Sequence, residues 1–294
     1  MKVVLLGTGW PMPDPERGNM SQVVMIDEEP LLFDCGERTS TNLMRSGINP
    51  LRINNLFITH HHWDHISDYG YLCISTWNFG RKEPFRVFGP KGTKEMSDAL
   101  FNQAYTLDTS FIKEILLDSI PKHITNRPNP ELQLDVKDID DGYVLDNGSW
   151  KVTARLVEHL PGVPCFGFRI DSKYGSVAIS GDTNPCEAII SLAKNVDVLV
   201  HECAFPDEVL QDRSMQGHSG PTGVGIVAQE SGAKKVVVTH LPPFTGSETV
   251  LEMASMYLGS YTGPQMLAKM TTDISKKYDG SIILGEDNME IPVE

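Results

Sequence analysis

The sequence predicts an α/β fold built in stacked layers, and three features carry that expectation. Short apolar, β-branched runs recur along the whole chain, as buried strands require. Segments with helix start and stop signals lie between many of them. The two kinds of segment keep no strict strand–helix alternation: early ones pair like hairpins, later ones like helix–strand units. That argues for α/β layers over a Rossmann sheet.

In chain order, strands are expected at 3–6, 23–26 and 31–33, followed by a helix at 39–46 and a strand at 56–58. A strand at 87–88 then leads to a helix at 93–104, with Thr93 as N-cap and an acidic first turn. Residues 119–148, rich in Pro, Asn and Asp, are the least regular stretch and are expected to form a surface excursion that acts as a lid. Strands at 152–157, 166–170 and 177–179 precede a helix at 185–194, which opens with proline in its first turn. A strand at 198–200, a helix at 222–231 stopped by Gly232, and a strand at 236–238 come next. A helix at 264–277 and a strand at 282–284 end the series. We take 1–294 as a single domain, and 294 residues are ample for a substantial core.

Composition narrows the function classes. Hydrophobic residues make up 40% and charged residues 22%, an ordinary globular balance. No run approaches the ~18 apolar residues that span a bilayer. Met1 leads at once into a strand pattern rather than a signal peptide, so a cytoplasmic protein with no membrane partner is expected. The formal net charge of −14 sets up a field that repels a nucleic-acid backbone. Five widely spaced cysteines, with no Cys-x-x-Cys, read as reduced and buried.

The densest chemistry is Thr59-His60-His61-His62-Trp63-Asp64-His65, directly after an apolar strand. Imidazole and carboxylate are good ligands for zinc-like divalent ions. His60 and His62, two apart at a strand end, project to one side, and Asp64 and His65 open the next turn. Alternation points His61 the other way. Several later strands also end in a candidate ligand: Glu158-His159, Gly181-Asp182, His201-Glu202 and Thr239-His240. Polar groups at neighbouring strand tips converge on one sheet edge. The count favours two ions: His60, His62 and His159 on the first, Asp64, His65 and His240 on the second, with Asp182 between them. A structural zinc would be closed by four ligands, usually with cysteine, so this excess of His and Asp points to catalysis by an activated water.

These motifs resemble the metallo-β-lactamase superfamily, in the branch of ribonuclease Z and the arylsulfatase-like hydrolases. The resemblance runs from Leu6-Gly7-Thr8-Gly9 and Phe33-Asp34-Cys35-Gly36-Glu37, through Gly89-Pro90-Lys91-Gly92 and the metal motifs, to Leu284-Gly285-Glu286-Asp287. It implies an αββα sandwich, two mixed sheets flanked by helices. It implies the same ligand set, and it places Asp34 as the carboxylate that orients a ligand histidine, although a turn-stabilising Asp before Gly36 reads equally simply. His201-Glu202-Cys203-Ala204 and Gly217-His218-Ser219 resemble two ribonuclease Z segments. Carried over, they make His218 the general acid and Glu202 its partner; the simpler alternative is that His218 caps the helix near Thr222.

The expected function is therefore a hydrolase with two divalent ions, zinc first and Mn2+ or Fe2+ also compatible. Its expected substrate is a small-molecule ester of phosphodiester or aryl sulfate type. The −14 charge argues against nucleic acid. So does the short interval between His159 and Asp182, where bacterial ribonuclease Z carries a tRNA-gripping arm. Leu241-Pro242-Pro243 resembles the arm-less relatives. The alternatives are tRNA 3′ processing, as in ribonuclease Z, and lactone opening; homodimers are common in this branch. Trp10, Trp77, Phe79, Phe166, Phe205 and Phe244 are candidates for lining an apolar pocket, with core packing as the plainer role.

Overall fold

The computed structural model describes residues 1–116, 121, 131–211 and 216–294. Its strands form two mixed sheets. The first has the order β14-β1-β2-β3-β4-β5-β6, from Glu290–Pro292, Lys2–Gly7, Ser21–Ile26, Glu29–Phe33, Asn55–Phe57, Phe85–Gly89 and Leu134–Asp138. The second has the order β13-β12-β11-β10-β9-β8-β7, from Ser281–Leu284, Lys235–Thr239, Val198–Glu202, Gly175–Ile179, Cys165–Ser172, Trp150–Val157 and Val144–Asp146. Each combines an antiparallel part with a parallel one: β3 to β6 run parallel in the first, and β10 to β13 in the second.

Strand alternation assigns every side chain to a layer. In β1, Val3 and Leu5 enter the core between the sheets, while Val4 and Leu6 pack under helices. In β11, Val198 and Val200 face between the sheets and Leu199 faces the helices on the other side. Both faces are covered, so these strands read as continuous apolar runs. Phe33 stacks on Phe57 at 5.0 Å within the first sheet and meets Phe168 of the second at 5.5 Å. The helices Thr39–Arg45 and Tyr69–Asn78 cover the outer face of the first sheet. Glu187–Leu192, Pro221–Ser231, Glu248–Leu258 and Gln265–Ser275 cover the second. The result is the αββα sandwich that the resemblance implies.

Two expectations change. Residues 119–148 are not irregular throughout: β6 extends the first sheet and β7 the second, while 117–120 and 122–130 lie outside the described residues. Thr93 is the first helical residue rather than the cap. The cap is Gly92, with φ 102°, and the Thr93 hydroxyl donates to the Pro90 carbonyl at 2.7 Å. All five cysteines are buried and free. Among the described residues no helix is long and apolar enough to cross a membrane.

Candidate metal centre and active-site cavity

The two sheets meet at one edge, and the strand ends there carry the candidate residues. Phe33 of β3 lies level with Phe57 of β4, so Asp34 emerges beside Thr59 and His60. The chain then passes His62, an extended N-cap, into the short helix Trp63–Ile66, which folds Asp64 and His65 back into the interior. From the second sheet, β10, β11 and β12 run parallel in register, and their tips bring Asp182, Glu202 and His240 level with one another. His159 follows β8. Gly181 allows the turn into Asp182: its φ is 61°, and a Cβ there would lie 2.6 Å from the Phe166 carbonyl oxygen. His240, at φ 56°, takes a left-handed conformation uncommon for a non-glycine residue. It is pinned on both sides, by Cys203 N–H to the Thr239 carbonyl and by Leu241 N–H to that of Thr8.

The structure brings all seven expected ligands together. His60, His62, His159 and Asp182 each offer one atom within a single 4.8 Å group, and Asp64, His65 and His240 form a second. Asp182 lies between the groups, its carboxylate 3.6 Å from His60 Nε2 and 3.5 Å from both His65 Nε2 and His240 Nε2. Asp64 Oδ2 is 3.2 Å from His240 Nε2 and 3.4 Å from His65 Nε2.

A hydrogen-bonded frame fixes the rings. Asp34 accepts from Thr59 N–H at 2.7 Å, from the Thr59 hydroxyl at 3.0 Å and from His65 Nδ1–H at 2.8 Å. The Thr59 oxygen in turn accepts from His60 Nδ1–H at 2.9 Å. His159 Nδ1–H donates to the Gly217 carbonyl at 2.7 Å. The rings of His60, His65 and His159 thus spend Nδ1 on the frame and leave Nε2 for the interior, the usual arrangement around ligand histidines. Among the described residues, His60 Nε2, His65 Nε2, Asp182 Oδ1 and His240 Nδ1 are buried without a hydrogen-bond partner. Buried polar atoms are rarely left so. Several of them on one cluster suit divalent cations.

The electrostatics agree. Burial, followed by the neighbouring His65, holds His60 well below the ordinary imidazole range, and burial lowers His62 and His159. Neutral imidazoles with free lone pairs are what a cation needs. Burial opposes charge on His65, but Asp182, Asp64 and Asp34 outweigh it and hold it well above the ordinary imidazole range.

Beside the cluster, His218 Nδ1 stands 3.1 Å from Glu202 Oε1 and 3.8 Å from Asp182. Glu202 is itself held by three backbone N–H groups: Thr183 and Ser219 to Oε1, Ala204 to Oε2, all at about 3 Å. Burial disfavours the imidazolium, but Glu202, then Asp182 and Asp64, overcome it and hold the His218 pKa up to about 9. Cations at the neighbouring groups act in the opposite direction. The capping alternative for His218 is not what the structure shows: the helix Pro221–Ser231 has Gly220 at its N-cap and no side-chain cap. His61 turns away as alternation requires, its Nε2 2.8 Å from the Thr93 hydroxyl.

Sequence reasoning missed the roles of Thr59 and of the Gly217 carbonyl. The adjacency of Thr59 to His60 was the only available signal; the Gly217 contact spans distant parts of the chain. A cavity of about 510 Å³ opens onto the cluster, lined among others by Trp10, Trp63, Phe205, His218 and Tyr257. Of the aromatic candidates, Trp10 and Phe205 reach it. Trp77, Phe166 and Phe244 are core residues, and Phe79 lines a separate groove with Met44 and Tyr71.

Known proteins share this arrangement. The family model described as the metallo-beta-lactamase superfamily matches residues 14–240. Ribonuclease Z of Mycobacterium marinum is 30% identical over 254 residues, which cover 83% of this chain and 87% of that one. Among solved structures, the metallo-beta-lactamase fold protein YhfI from Bacillus subtilis superposes with a TM-score of 0.71, at 19% identity over 99% of each chain. The short form of human tRNase Z gives 0.68, at 24% identity over 100% of each.

Two of these relatives overturn one expectation, that of a small-molecule substrate with nucleic acid disfavoured. The Mycobacterium and human proteins are named for RNA cleavage, and neither the net charge nor the short His159–Asp182 interval rules it out. A net charge of −14 is a sum over the whole chain and does not set the field in one cleft, where bound cations and local groups dominate. The β9–β10 hairpin between His159 and Asp182 excludes an arm at that place and nothing more. The fold implies divalent metal ions, and the His/Asp groups are placed to receive them. The chain belongs to the metallo-beta-lactamase superfamily, on the branch that holds ribonuclease Z, and is a hydrolase acting on ester bonds.

Proposed function

We propose that this protein cleaves RNA by hydrolysing a phosphodiester, as a tRNA 3′-processing endonuclease of the ribonuclease Z type. The observation that carries the reading is His218, held by Glu202 at 3.1 Å on the rim of the His/Asp cluster. A ribose hydroxyl is a poor leaving group, and its departure calls for a proton donor at that place. The names of the similar proteins support the same substrate class.

In this reading His60, His62 and His159 hold one ion, Asp64, His65 and His240 hold the other, and Asp182 serves both. Zinc is the ion proposed, since imidazole-rich sites with a few carboxylates suit it. Such ions, when bound, supply Lewis acidity toward a phosphate oxygen and a water nucleophile at neutral pH. The protein's own groups do the rest. Asp34 and Thr59 hold the rings of His65 and His60 in place, and Asp64 accepts the proton of the attacking water. Glu202 orients His218, and His218 gives its proton to the oxygen that leaves.

Incubating metal-loaded protein with a tRNA precursor is expected to release a discrete 3′ trailer, and His60→Ala to abolish the release. An intact precursor, beside turnover of bis(p-nitrophenyl) phosphate by the same preparation, would sink the RNA reading and leave the hydrolase standing.

A further inference from the structure

The cavity beside the cluster has an aromatic wall that plays no part in the proton transfers. It begins beside His218 with Phe205, whose ring lies 5.5 Å from that of His218. Phe205 meets Trp10 edge-on at 5.2 Å, and Trp10 meets Tyr257 edge-on at 5.7 Å. Trp63, wedged in sequence between His62 and Asp64, lines the same cavity. Trp63 is 64% exposed and Tyr257 56%, large apolar faces left open beside a buried polar centre. Trp10 by contrast is 5% exposed, buried between Phe205 and Tyr257.

Each of these features selects among occupants. Open indole and phenol rings offer little to a phosphate but stack well on a flat π-system. A cavity of about 510 Å³ is in the usual range for a small ligand group. The wall starts at the proposed proton donor, so whatever it holds is attached to the leaving oxygen.

Resting on the RNA reading above, we propose that this cavity is a base-binding subsite. It takes one unstacked nucleobase of the nucleoside that leaves, stacked on Trp63 and Tyr257. Trp63 and Tyr257 are then substrate-positioning residues.

The test uses the full metal-loaded protein and a tRNA precursor with an abasic residue on one side of the scissile phosphate or the other. Hydrolysis leaves a hydroxyl on the fragment that departs, so the product ends identify the leaving nucleoside. In the wild-type protein, loss of that base is expected to lower kcat/KM about 10- to 100-fold, and loss of the base across the phosphate to change it little. In Trp63→Ala the abasic penalty should shrink to about twofold or less, because the base no longer has its platform. Trp63→Phe should restore most of it. Metal content measured on each variant separates lost stacking from a disturbed cluster; where Trp63→Ala loses metal, Tyr257→Ala takes its place.

Equal abasic penalties in wild type and variants, or a larger penalty on the other side of the phosphate, overturn the subsite. Wild-type protein that hydrolyses bis(p-nitrophenyl) phosphate but no RNA overturns the RNA reading, and the subsite falls with it.

Discussion

Asp34 illustrates how much chemistry a single side chain carries here. It stands one residue past β3, at φ 57°, and its carboxylate accepts from Thr59 N–H, the Thr59 hydroxyl and His65 Nδ1–H at once. An amide cannot accept at both ends. Asp34→Asn is therefore expected to weaken metal binding or activity about 10- to 100-fold, read by competition with a chromogenic chelator. His218 makes a different prediction. If it protonates the leaving oxygen, His218→Ala should cost about 100- to 10,000-fold on RNA. On a p-nitrophenyl phosphodiester, whose leaving group needs no proton, the loss should be much smaller. Equal losses on both substrates would argue that His218 shapes the site instead. His60, His62, Asp64 and His65 were legible in the sequence because they are local, two strand-end residues and one helical turn. The Glu202–His218 pair was legible only through resemblance, since residues so far apart say nothing of each other until the chain folds.

The same contrast holds for the elements. Buried strands such as β1, β11 and β12 stand out because both faces are covered, giving unbroken apolar runs. The missed strands β6, β7 and β14 lie at sheet edges and alternate with exposed, charged positions, so they leave little apolar signal. Phe168 of β9 bridges the sheets against Phe33 and Phe57. Phe168→Ala should cost about 3–5 kcal/mol in urea unfolding, as cavity-forming aromatic truncations do. The start of β11 is tied down by Asp197, which accepts from Ser176 N–H at 2.7 Å and pairs with Lys234 at 2.6 Å. Burial raises the Asp197 carboxyl, but Lys234 and the Ser176 groups outweigh it and hold it below the usual carboxylate range. A depressed native pKa stabilises the fold above the unfolded carboxylate value near ~3.9, and that contribution is lost as pH falls through the native one. The difference in urea midpoint between wild type and Asp197→Asn should accordingly be larger at pH 7 and shrink toward pH 3.

At the scale of the molecule, the centre belongs to neither sheet. The first contributes Asp34, His60, His62, Asp64 and His65, the second His159, Asp182, Glu202 and His240, so ions bound there would cross-link the two halves of the sandwich. Cations that bind the folded chain and not the unfolded one stabilise it by mass action, about 4 kcal/mol at a thousand times Kd. Chelation should therefore lower Tm, with recovery on adding Zn2+. An unchanged Tm in calorimetry would count against bound structural cross-links. The chain ends are tied in as well: Asp287 accepts from Thr8 and Gly18, joining the C-terminal motif to the opening glycine turn.

By itself the sequence determined the α/β layers, the apolar strands and the chemistry of the His/Asp ligands, because each is written in local pattern: burial sets apolar runs, and ligation sets residue type. The tertiary structure alone decided which strand tips meet, that His218 faces Glu202 rather than a helix end, and that Trp63, Trp10 and Tyr257 share a cavity. Those are distances between remote segments, set by how two sheets pack. The substrate class followed neither pattern. Net charge pointed away from the nucleic acid that relatives named ribonuclease Z and tRNase Z favour, because a sum over the whole surface carries no information about the field and shape of one cleft.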